Sequence, residues 1–67
     1  MRLDGAKVRR ARERLGYSLA AVAQEAGVSE GAVLRADHGR EIRLLTARKI
    51  AQGLGVEVAD LMREEDR

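Results

Sequence analysis

Sixty-seven residues carrying 13 basic and 11 acidic side chains, a net charge of +2, are enough for one small domain and little more. The chain has no cysteine and one histidine, His38, which excludes disulfide staples and any metal centre built from thiolates or clustered imidazoles, so stability has to come from packing. No apolar run approaches a membrane span and the opening MRLDGAKVRR lacks a secretory apolar segment, so a soluble cytoplasmic protein without membrane association is expected.

Proline is absent, Tyr17 is the sole aromatic residue, and alanine, arginine, leucine, valine and glutamate dominate, a composition that suits closely packed helices and predicts an all-α fold. The first predicted helix aligns Val8, Ala11 and Leu15 on one face. Arg12 lies about 40° from Val8, on the margin of that face, where a guanidinium needs a partner. Gly16 ends the helix and Tyr17 turns back toward the core.

Ser18 offers an N-cap oxygen to a second helix, striped by Leu19, Val22, Ala23 and Ala26. Gly27 suits the left-handed residue past a helix end, with Val28 as the apolar contact that follows, and Leu54, Gly55 and Val56 repeat the device. Ser29 caps a third helix whose inward residues are Val33 and Ala36. Gly31, Leu34, Arg35 and His38 fall about 100° to 200° from Val33, with Glu30 on the flank, so one small face looks outward. Gly39 closes this helix and GREIR forms a connecting loop rich in arginine. A fourth helix carries Ala47, Ile50, Ala51 and Leu54 on one side, and Val58, Leu61 and Met62 predict a short fifth. Ala21 and Ala32 stand where a capping box would place a glutamate, so both helix starts rest on their serines alone.

Charge is unevenly placed along the chain. Up to Tyr17 six basic residues face only Asp4 and Glu13, and between Ser18 and Leu34 there is no lysine or arginine. Arg35, Arg40, Arg43, Arg48 and Lys49 then oppose Asp37 and Glu41, and the stretch from Ala51 onward is net acidic. The pattern fits either solvated helix faces or a molecule with a basic side and an acidic end.

From Leu19 to Ala36 the residues Val22, Ala23, Ala26, Gly27, Val28 and Val33 resemble the helix-turn-helix of the Cro/CI-type (XRE-like) repressors. Gly5, Val8, Arg9, Ala11, Arg12, Gly16 and Ser18 resemble the family's first helix. Thr46, Ala47, Lys49, Ile50, Ala51, Leu54, Gly55, Val56 and Leu61 resemble its fourth and fifth. The likeness covers about residues 5 to 62 and implies a five-helix, lambda-repressor-like domain over 1–67, with the helix-turn-helix at about 18–38. It departs from the family at Leu19, Ala36, Asp37 and Ile42, where relatives commonly have glutamine, a large apolar residue, glutamate and proline.

The resemblance implies a structural ion pair between Arg12 and Asp37. It also implies a transcriptional regulator of double-stranded DNA, a repressor by expectation, that places the helix 29–38 in the major groove. Arg35 is assigned to guanine, Glu30 to the cytosine amino group and Leu34 to a thymine methyl, with Ser29 beside them. Arg40 and Arg43, with Lys49 and more weakly Arg9, are assigned to phosphate. A homodimer, at least on DNA, is implied through the fifth helix, with Val58, Leu61 and Met62 as contacts. The alternative is a protein-interaction module on the same fold, such as an antitoxin component or an antagonist of another regulator, which the acidic end and the cation-free second helix leave open. The serines are accounted for as caps, His38 has no base-orienting set, and neither a phosphate loop nor metal-ligand spacing occurs; catalysis, a cofactor and a metal are not expected.

Overall fold

The computed structural model describes residues 1–66: α1 (Gly5–Arg14), α2 (Leu19–Ala26), α3 (Glu30–Asp37) and α4 (Leu44–Leu54), then single 3-10 turns at Val58–Leu61 and Glu64–Asp66. Three of the helices start at side-chain acceptors for amides that have no partner within the helix. Asp4 accepts from the Ala6 and Lys7 amides at 2.9 and 3.3 Å, Ser18 from Ala21 at 3.1 Å and Ser29 from Ala32 at 3.1 Å. α4 differs: its N-cap is Arg43, which supplies no side-chain acceptor.

The break between α2 and α3 is made by Gly27 at φ 72°, where the Gly27 and Val28 amides both return to the Ala23 carbonyl, at 2.9 and 3.1 Å. This left-handed region disfavours residues with a Cβ, and glycine there lets the chain reverse and restart at Ser29 within three residues.

Leu3, Val8, Ala11, Val22, Ala23, Val33, Ala36, Ile42, Ala47, Ile50, Ala51, Leu54 and Leu61 form the core. α2 lies between α3 and α4, and Gly53 permits its close approach to α4, since a Cβ there would sit 3.0 Å from the Ala26 nitrogen. α1 crosses to the far end of α3 through a tighter contact. A Cβ on Gly5 would come 2.3 Å from the Asp37 carbonyl oxygen, so only glycine lets the N-terminus of α1 meet the C-terminus of α3. The partial charges at these two ends attract.

Two expectations change. The fifth helix is a single 3-10 turn at Val58–Leu61: the Asp60 carboxylate accepts from the Glu57 amide at 2.9 Å at its start, and the extended backbone at Met62 ends it after four residues. Leu15 is 45% exposed, although its spacing places it with Val8 and Ala11. It caps α1, and Tyr17, whose amide returns to Arg12, packs on the core instead. Leu3 and Ile42 are buried core residues supplied by an N-terminal arm and the α3–α4 loop. Arm and loop pair through an antiparallel bridge between Arg2 and Glu41, with the Ile42 amide on the Met1 carbonyl at 2.8 Å, while the Asp4 amide reaches the Leu61 carbonyl at 2.7 Å. No helix among the described residues is long and apolar enough to cross a membrane.

Candidate nucleic-acid interface

The outer face of α3 carries Ser29, Glu30, Gly31, Leu34, Arg35 and His38, all exposed, while Ala32, Val33, Ala36 and Asp37 are buried beneath them. Ser29 accepts one amide bond as the N-cap and keeps its hydroxyl proton to donate. Gly31 leaves open space that Arg35 adjoins: a Cβ at Gly31 would stand 3.7 Å from the Arg35 Nη1. Leu34 is 43% exposed, an apolar side chain among the polar groups of this face.

Two concavities flank Arg35. One, of about 710 Å³, runs along α3 toward the start of α4 and is lined by Val28, Ser29, Ala32, Arg35, Ile42, Arg43 and Thr46, with Met1 and Glu41 at its edge. The other, of about 550 Å³, lies past the C-terminus of α3 between Arg2, Arg35, His38, Gly39, Arg40 and Glu41. Arg40 and Arg43 are exposed in the loop, and Lys49 is exposed on α4 one turn beyond Thr46. Glu41 is the acid in this basic surround, and its carboxylate is engaged by the Met1 ammonium and faces Arg2 Nε at 3.7 Å. The Met1 ammonium, more than Arg2, holds the Glu41 carboxyl below the usual carboxylate range.

α3 is fixed in place by two arginines of α1 that converge on Asp37. Arg12 Nε and Nη2 donate to the two Asp37 carboxylate oxygens at 3.2 and 2.9 Å, and Arg12 Nη1 donates to the Tyr17 carbonyl at 3.2 Å. The hydrogen bonds to Asp37 raise the Arg12 pKa above its ordinary value, with burial opposing them. Arg9 Nη1 donates to the Asp37 main-chain carbonyl. Arg9, assigned to phosphate from the sequence, is exposed, and this bond ties one of its donors to the C-terminus of α3.

Leu61 requires a correction too: it is 1% exposed, filling the protein's own core, and cannot serve as a contact to a second copy. Val58 and Met62 are half-buried. Lys7 Nζ donates to the Met62 carbonyl at 2.9 Å and to Glu64 at 2.7 Å, so one cation of α1 is joined to the acidic C-terminal segment. Arg2, not singled out by any pattern in the sequence, joins the basic surround only because the arm pairs with the loop. Among the described residues no group of three histidine, cysteine, aspartate or glutamate side chains is placed to hold a metal ion.

A helix-turn-helix family model matches residues 8–61. A protein of Archaeoglobus fulgidus designated an HTH-type transcriptional regulatory protein is 40% identical over 55 residues, which cover 82% of this chain and 18% of that relative's length. Among solved structures, the restriction-modification controller protein C.AhdI from Aeromonas hydrophila superposes with a TM-score of 0.79 at 27% identity, over 87% of this chain and 89% of that one.

Proposed function

The chain belongs to the Cro/CI-type helix-turn-helix family, and from that membership we propose that it regulates transcription as a sequence-specific binder of double-stranded DNA. In this reading it is a repressor, acting by occupying a promoter, and α3 enters the major groove. The single observation that carries the reading is the outer face of α3, where Ser29, Glu30, Leu34 and Arg35 stand exposed immediately after the Gly27 turn. An α-helix with its side chains is about 10–12 Å across, which a major groove about 12 Å wide admits.

Arg35 pairs with guanine through its forked donors, Glu30 accepts from a cytosine amino group, Leu34 meets a thymine methyl and Ser29 hydrogen-bonds at the groove edge. Arg40 and Arg43, with Lys49, bind phosphate, assisted by the amides in the first turn of α4 that no side chain caps. These elements lie in a single domain over residues 1–67, with its core at about 5–62 and its helix-turn-helix at about 18–38. Two copies sit on half-sites about one helical turn apart, and Val58 and Met62 remain the candidate contacts between them.

Selection of bound duplexes from a random pool, followed by titration of variants, tests the assignment. Arg40→Ala should weaken binding to all sequences and lower the salt slope by about 0.9, whereas Arg35→Ala should change the preferred base at one position and remove about 1–3 kcal/mol of discrimination there. Equal effects of both variants on every duplex would refute the division of roles. No binding to random duplex at low salt would sink the reading and favour a protein partner on the same fold.

A further inference from the structure

We propose that Arg2 is a phosphate contact, brought to the DNA face by the N-terminal arm; this rests on the reading of α3 as the groove-binding helix. Nothing in the sequence ties Arg2 to that helix, from which it is separated by all of α1 and α2. The fold closes the gap. The Ile42 amide bonds the Met1 carbonyl at 2.8 Å, Arg2 and Glu41 form an antiparallel bridge, and Leu3 is buried in the core, so the backbone on both sides of Arg2 is fixed.

Held in this way, Arg2 lines the same concavity as Arg35, His38 and Arg40, past the C-terminal end of α3. Its side chain is 58% exposed. Its Nε stands 3.7 Å from Glu41, beyond hydrogen-bond length, so the pair restrains the guanidinium by charge and leaves its donors for another acceptor. An exposed ion pair of this kind is weak and screened by salt, whereas a phosphate offers the fork a bidentate acceptor. Arg40, the neighbouring loop cation, lies on the same rim. The duplex backbone that touches Arg40 therefore passes within reach of Arg2, and the footprint extends from the α3–α4 loop onto the arm.

The test is a salt titration of the full chain on a random-sequence duplex of about 20 base pairs, comparing Arg2→Ala with Arg14→Ala. Arg14 lies on α1 beside Lys7 and Asp60, away from α3, and its removal changes net charge by the same amount. A phosphate contact contributes about 0.9 to the slope of log affinity against log salt, so over a fourfold rise in salt Arg2→Ala should lose affinity about 3.5-fold less steeply than the wild type. Arg14→Ala should keep the wild-type slope. A wild-type slope for Arg2→Ala, or an equal change in both variants, would overturn the inference while leaving the role of α3 intact. Failure of the wild type to bind DNA would overturn both. Thermal melting of Arg2→Ala should match the wild type, since the arm is held by backbone bonds and Leu3; a large loss there would show a structural role and overturn the assignment.

Discussion

Replacing Arg12 with methionine tests whether the pair between α1 and α3 carries stability. The substitution keeps the length of an apolar stem and removes the guanidinium, leaving the Asp37 carboxylate, 4% exposed as a residue, without its two donors. An orphaned buried charge costs about 3–5 kcal/mol, and the partial exposure of Arg12, 17% for its side chain, lets water reach the site and favours the lower end, about 3 kcal/mol. A domain of this size is stabilised by about 3–10 kcal/mol in total, so a third or more of its stability is at stake. At about 4–8 °C per kcal/mol the melting temperature should fall by about 12–24 °C, measured by circular dichroism. The double variant Arg12→Met with Asp37→Leu should recover most of the loss, because a buried pair exchanged for apolar residues of similar volume is close to neutral. The Arg9 bond survives in it, since it is made to the Asp37 main chain. A fall of less than about 5 °C in the single variant, or a double variant as damaged as the single one, would refute the reasoning.

Gly5→Ala should cost about 1–3 kcal/mol in urea denaturation, because the new Cβ would lie 2.3 Å from the Asp37 carbonyl oxygen and the two helix ends must separate; an unchanged midpoint would show that the contact is not tight. Gly27→Ala should lose only about 1 kcal/mol, the cost of a left-handed residue, since nothing lies within 4 Å of its Cβ; a loss several times larger would mean that space, not backbone conformation, selects glycine there. The Glu41 carboxyl, held low by the Met1 ammonium and Arg2, should titrate below the usual carboxylate range in an NMR pH series. A depressed carboxylate stabilises above its unfolded pKa and loses that contribution as pH falls through the folded value, so the arm should loosen only in acid. A Glu41 midpoint at or above the ordinary value would show that the arm is not seated on the loop.

Much of the framework was legible because the signals are local. Ser18 and Ser29 announce helix starts, Gly27 and Gly55 announce left-handed ends, and Val22, Ala23, Val33, Ile50 and Leu54 recur at helical spacing. The outward set on α3 follows from the same phase, since residues opposite Val33 on a helix must face away from it. Asp4, an N-cap residue type directly ahead of α1, accepts the Ala6 amide and starts that helix. Leu15 marks where periodicity fails: it lies at a helix end, where one residue of fraying turns a side chain from one side to the other.

By itself, then, the sequence determined the helices, the turn at Gly27 and the residues that α3 offers outward, because each depends on neighbours within about one turn. Only the tertiary structure decided how the ends meet. Asp37 gathers Arg12 on its carboxylate and Arg9 on its carbonyl, Gly5 closes against it, and the Met1–Leu3 arm lies along Glu41 and Ile42. These contacts join residues 25 to 41 positions apart. Spacing along the chain carries no record of such pairs, whose partners are fixed by the packing of whole helices. Arg2 gains its place beside α3 by that route, and Arg9 is drawn to the end of the same helix.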